Sequence, residues 1–346
     1  MEGAKMGDSS PYVQEWKNLY DAAIKFKEIE CWNWMWDSDV FGVQNPANGE
    51  IGYCCVMGEL GEHFALAVYL GTDGLEGYLK IQSGGILPGD VDVLHIQKCL
   101  MASFEDRKIL RGPDLQVIKE LGLKFRGRKS WPLFRSYRPG YLPWYLTGEE
   151  ARYLALALQQ AVVVALRFKE DEGMLTPPEE NHYLVRVPEK EGEGLRWREE
   201  WLEPSPPERA EIVAELVDEA RLERIRETAS RSRGVWEADV FYFPGGAEDG
   251  ERPYFPLSFL LVDHRSGLIL NAHLAGPSDY GSEFIEKFLS TIESTGRLPE
   301  EVLVKNGEVF KLLEPVTSRL GVKLGKVRRL ISLEEARAGM FEFFHF

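Results

Sequence analysis

Two domains of different class are expected from this chain: an α+β domain, then an α/β domain built on a mixed five-stranded sheet with flanking helices. Three observations lead there. At 346 residues the chain is longer than one hydrophobic core usually organises. Up to about residue 170, short β-type segments lie between amphipathic helices. From Trp236 on, strand and helix patterns follow one another in the order β-β-β-α-β-α-β-α. The expected borders are 1–170 for the first domain, 171–234 for a connector of hairpin and helix, and 235–346 for the second domain.

QEWKNLYDAAIKFKEI opens the first domain as an amphipathic helix. DVFGV, IGYCCVMG and HFALAVYLG follow as β-type segments, the last two separated by the Gly-containing loop GELGE. CWNWMWDSD carries Trp32, Trp34 and Trp36 in alternation, which on a strand would put all three on one face, most simply a core face. GPDLQVIKELGLKF reads as a helix and the stretch after it as a long Pro/aromatic loop. The domain closes with TGEEARYLALALQQAVVVALRF, where Thr147 and Glu150 form a capping box and the apolar residues cover most of the circumference. That helix is the expected spine. In the connector, Ser205, Pro206 and Glu208 have the pattern of a helix start, with Ile212, Val213, Leu216, Val217 and Ala220 as its apolar stripe.

In the second domain WEADVFYFP, PLSFLLVDHRSG and LILNAHLAG are strands, the last two joined by a tight turn. PSDYGSEFIEKFLSTIESTGRLP is a helix and EEVLVKNG a fourth strand, closed by an Asn-Gly turn. EVFKLLEPVTSRLGVKL gives a helical connection interrupted at Pro315 and then a short fifth strand. SLEEARAGMFEFF is the last helix. This order is that of the ribonuclease H-like fold, in which parallel strands extend three antiparallel ones through right-handed crossovers.

The same stretches resemble the catalytic core of integrases and transposases of the DDE group. WEADV looks like their first strand, FLLVDHRSGLIL like their hairpin, and GRLPEEVLVKNGEVF like the motif G-x-P-x-x-I-x-x-D-N-G-x-E-F. Gly296, Pro299, Asn306, Gly307 and Phe310 fall in register with that motif. The likeness covers about 100 of the 346 residues. The remainder resembles an uncharacterised prokaryotic family that joins such a domain to an aromatic-rich one. The resemblance implies a metal-binding carboxylate on the first strand, where Asp239 stands, and a second at the end of the fourth, where this chain has Lys305. A third is implied on the last helix, where Glu334 and Glu335 are available.

Two-metal phosphoryl chemistry needs several carboxylates to hold ions roughly 4 Å apart. Asp239 and Glu334 are the catalytic candidates under that reading, with Mg²⁺ or Mn²⁺ as cofactor, and Glu237 shares the face of Asp239. A lysine cannot bind a cation while protonated. Glu335 lies three residues after Ser332 and is explained by a capping box. Glu283 and Glu286 fall opposite the apolar stripe of the first helix of this domain, and His273 lies on a polar, solvated strand face. The expectation is therefore a degenerate site with no cofactor, in which Lys305 is a solvated lysine, an ammonium paired with Asp239, or a binding residue of an anion site shared with the free N–H groups of the helix that begins near Glu308.

Charge and composition narrow the partners. The net charge is −15, and from Val235 onward 12 Lys+Arg stand against 17 Asp+Glu, a net of −5 that leaves −10 for the remainder. Such a field disfavours nucleic acid and leaves the partner unknown, with another protein as one candidate and no membrane expected. One basic island runs from Leu121 to Gly148, with Lys124, Arg126, Arg128, Lys129, Arg135 and Arg138 interleaved with rings that include Phe125, Trp131, Tyr137 and Tyr145. Cations and rings in this mixture are what single-strand binders use. The competing reading is internal pairing and packing. A second island is Arg319, Lys323, Lys326, Arg328 and Arg329. No apolar run reaches the roughly 18 residues of a membrane span. Cys31, Cys54, Cys55 and Cys99 form no CxxC pair, which fits free thiols in a soluble cytoplasmic protein. An interaction protein without catalysis is the first expectation, with nucleic-acid binding and an atypical nuclease as alternatives.

Overall fold

α1 (Val13–Ile29) buries Trp16, Leu19, Tyr20, Ala23 and Phe26 on one face, as its 3.6-residue period requires. The computed structural model describes residues 10–85, 92–192, 194–206, 218–248, 252–278 and 280–344. The chain divides into two compact units, Met1–Glu208 and Arg209–Phe346.

The first unit continues with β1 (Phe41–Gln44), β2 (Ile51–Met57), β3 (Phe64–Leu70), α2 (Gly71–Gln82), α3 (Asp92–Ile96), β4 (Cys99–Glu105) and α4 (Gly112–Glu120). Then come β5 (Trp131–Tyr137), α5 (Gly148–Phe168), β6 (Tyr183–Glu191) and β7 (Gly194–Leu202). Its strands form one seven-stranded sheet in the order β5-β4-β3-β2-β1-β6-β7, antiparallel except where β1 meets β6. The capping box at α5 is present: Glu150 N–H donates to Thr147 Oγ1, and Thr147 N–H to Glu150 Oε2. Leu154, Leu158, Ala161 and Val164 of α5 are fully buried. At 21 residues α5 has the length and composition of a membrane span, contrary to the reading of this sequence, but most of it is spent in the core. Gly52 lets it approach, since a Cβ there would meet Tyr153 Oη at 2.2 Å, the hydroxyl that donates to Val43 O.

Several expectations change here. The Pro/aromatic loop contains edge strand β5, where Pro132 opposite Phe104 is tolerated because an edge strand has one unpaired side. The tryptophans do not share a strand face. Cys31–Asn33 is a 3₁₀ turn, Trp32 is buried, Trp34 is half-buried and Trp36 is exposed. The segment 171–234 is no separate connector. Its hairpin extends the first sheet through Val185 and Arg186, and its helical part, α6 (Glu219–Thr228), belongs to the second unit. Asp218 caps α6, and Arg221 clasps Glu286 and Glu293. The stripe from Ile212 to Val217 lies outside the described residues.

The second unit continues with β8 (Ser230–Arg231), β9 (Val235–Tyr242), β10 (Leu257–Asp263), β11 (Ile269–Ala275), α7 (Tyr280–Thr295), β12 (Arg297–Leu298) and β13 (Glu301–Val304). α8 (Gly307–Leu320), β14 (Lys323–Lys326) and α9 (Ile331–Phe344) complete it. The sheet order is β11-β10-β9-β13-β14, with the first three antiparallel and the last three parallel. The short parallel pair β8–β12 had no sequence signal. α8 runs through Pro315 without interruption. Asn306 is not part of an Asn-Gly turn but the N-cap of α8, accepting from Glu308 N–H at 2.9 Å. α6, α7 and α8 build the core on one face of the sheet with Trp236 and Ala238. α9 covers the opposite face, over Leu260 and Val262.

Candidate functional site

The alternation of β9 sends Glu237, Asp239 and Phe241 to the face under α9. Because β13 runs parallel beside β9, its end delivers Lys305 to the same place, and α9 adds Glu334 and Arg337. These groups come together around Asp239. Lys305 Nζ lies 3.7 Å from Glu334 Oε1, and Arg329 binds Glu334 Oε2 at 2.9 Å. Lys305 thus takes Glu334 as its ion-pair partner and acts on Asp239 only through its field. The direct Lys305–Asp239 pair weighed from the sequence is replaced by this one.

Electrostatics separate the two carboxylates. Burial raises the pKa of Asp239, with Val240 N–H, Arg337 and Lys305 pulling the other way and Glu334 adding to the rise. The hydrogen bonds of Arg329 hold Glu334 below its ordinary range, helped by Lys305. One carboxylate is thus half-buried and reluctant to ionise, and the other is engaged by two cations.

Glu237 has a different task. It is 1% exposed, its Oε1 lies 2.5 Å from His264 Nδ1, and its Oε2 accepts from Leu333 N–H at 2.7 Å. The carboxylate therefore caps the first turn of α9 from a neighbouring strand, where free N–H groups and the helix dipole favour negative charge. Sequence spacing pointed instead to a Ser332–Glu335 capping box. Ser332 lies inside the helix and donates to His264 O at 2.8 Å. A cap contributed by a residue 96 positions away leaves no local pattern to read. His273 is likewise not solvated alone, since its Nε2 lies 2.7 Å from Glu283 Oε2. Glu283 and Glu286 point away from Asp239 and bind His273 and Arg221.

The donor set does not suit a pair of divalent ions. Of the three positions the resemblance marks, one holds a lysine and another holds a glutamate already bound by Lys305 and Arg329. Among the described residues no group of three or more His, Cys, Asp or Glu side chains could hold a metal.

The basic-aromatic segment lies in the first unit, and much of it is turned inward. Arg135 is 8% exposed, forks onto Asp114 with two bonds of 2.8 Å and stacks over Tyr145. Lys129 donates to the carbonyls of Gly61 and Glu62, and Arg138 binds Glu150 at 3.0 Å. Trp131 packs on Phe125 beneath Arg107, and Tyr137 is half-buried, burial pushing its pKa up to about 12. Arg126 and Arg128 are exposed. A shallow surface depression is lined by Trp16, Tyr20 and Tyr145, but Asp114 in its wall is committed to Arg135.

Residues 16–186 match the model of a domain of unknown function (DUF7309), and residues 221–341 match that of another (DUF6930). The comparison with curated proteins gave no match. Among solved structures the chain is similar to the integrase catalytic core domain of HTLV-2 in complex with magnesium. The identity is 22% over 32% of this chain and 68% of that one, with a TM-score of 0.24. The intasome of simian T-cell lymphotropic virus, in complex with the PP2A regulatory subunit B56 gamma, is similar at 19% identity. That likeness covers 33% of this chain and 41% of the other, with a TM-score of 0.26.

Proposed function

We propose that this is a non-catalytic interaction protein, an α+β domain joined to a ribonuclease H-like domain whose metal site has been replaced by ion pairs. One observation carries the reading. At the end of β13, where a metal-dependent relative would place a carboxylate, Lys305 stands in an ion pair with Glu334 and within electrostatic reach of Asp239. A fixed ammonium there supplies the positive charge that carboxylates would otherwise recruit from solution as Mg²⁺ or Mn²⁺. The partner class is another protein, since the net charge of −15 repels polyphosphates. Four buried thiols, with burial pushing Cys31 up to about 12, support residence in the reducing cytoplasm.

The test is a cleavage assay on single- and double-stranded DNA and RNA in the presence of Mn²⁺. The expected result is no product above buffer. Product that disappears in Asp239→Asn would overturn the proposal in favour of an atypical nuclease.

A further inference from the structure

We propose that α9 is a detachable cover, a helix that lifts off the sheet in a local step while the rest of the second unit stays folded. The inference is independent of whether the site beneath is catalytic. α7 and α8 each bury six side chains. Among the described residues of α9, Leu333 alone is fully buried, while Ile331 is 57% and Phe343 78% exposed. α9 packs Leu333, Ala336 and Met340 against Leu260 and Val262, a smaller apolar contact than its neighbours make and so a weaker hydrophobic hold.

Polar contacts clustered at its N-terminal end add to that hold. Glu237 accepts from Leu333 N–H, Ser332 Oγ donates to His264 O, and Glu334 meets Lys305. Further along, Arg337 lies over the Phe241 ring at 5.1 Å, and Phe341 meets Phe241 and Phe243 edge-on. Opening would uncover Asp239 together with an apolar strip of Phe241, Leu260, Val262 and Leu303, a surface one helix wide. The buried carboxylate of Glu237 works as the catch, because its charge-assisted bond to Leu333 N–H is shielded from water.

Hydrogen exchange read by mass spectrometry on the full chain tests this. Peptides from α9 are expected to exchange about a hundredfold or more faster than peptides from α7, with little dependence on low urea, as local opening requires. Glu237→Gln should speed α9 about tenfold or more and leave α7 unchanged, since a bond to a charged group is lost. Ser332→Ala keeps the buried carboxylate and should speed α9 by a smaller factor, a readout that survives if the Glu237 variant folds poorly. Equal protection of α9 and α7 in the unaltered chain would overturn the proposal. So would variants that speed both helices alike.

Discussion

Asp239 in β9 and Lys305 just past the end of neighbouring β13 carry opposite charges, yet the carboxylate is raised in pKa by burial rather than lowered by a direct partner. The sign of its contribution follows. A group whose folded pKa lies above its unfolded one stabilises the protein at low pH, and that stability is lost as pH rises through the raised value. Asp239→Asn should therefore raise the melting temperature at pH 7, with the gain shrinking to nothing as pH falls below the ordinary carboxylate range. Melting curves across that range check it, and a loss of stability at pH 7 would mean that Asp239 is ion-paired after all. Glu334 has the opposite sign: its stabilisation is present at neutral pH and fades as pH falls through its lowered pKa. In the first unit, the side chains of Arg135 and Asp114 are both largely buried, so Asp114→Ala leaves a buried guanidinium without its carboxylate partner. The expected cost is about 3 to 5 kcal/mol in urea unfolding.

At the scale of elements, legibility followed locality. α5 could be read because its cap and its apolar pattern both lie within its own sequence, and Thr147→Ala should cost about 1 kcal/mol through the lost bond to Glu150 N–H. Thermal unfolding of the variant measures this. β9, β10 and β11 were legible as apolar runs broken by a tight turn, and their order constrained the sheet. β5 was missed because an edge strand tolerates the proline and arginine that read as loop. The cap of α9 was missed because Glu237 is remote in sequence. α6 was assigned to a connector because its charged surface hides its anchor. Arg221 holds it to α7 through Glu286 and Glu293. Arg221→Ala should loosen α6 at a cost of about 1 kcal/mol, the sum of two surface pairs, read by faster exchange of α6 amides.

For the molecule as a whole, two compact units built on separate sheets predict two transitions in calorimetry, where a single cooperative unit would give one. Charge is the other global property. Arg135 and Lys129 are engaged within the first unit, and the exposed cations, Arg126, Arg128, Lys326 and Arg328 among them, stand in a net field of −15. Single-stranded DNA or RNA should show no binding at physiological salt. The sequence could place Asp239, Lys305 and Glu334 in one site because topology brings them together, but not who pairs with whom. That depends on side-chain reach, which periodicity does not encode. The proposal that ion pairs have taken the place of metal in this site rests on the contact of Lys305 with Glu334. Its most direct test is the melting temperature of the full chain titrated with Mg²⁺ and Mn²⁺. A bound ion at 100 times its dissociation constant would add about 2.7 kcal/mol. The account predicts no shift with either ion. A rise that saturates with ion concentration and vanishes in Asp239→Asn would contradict it.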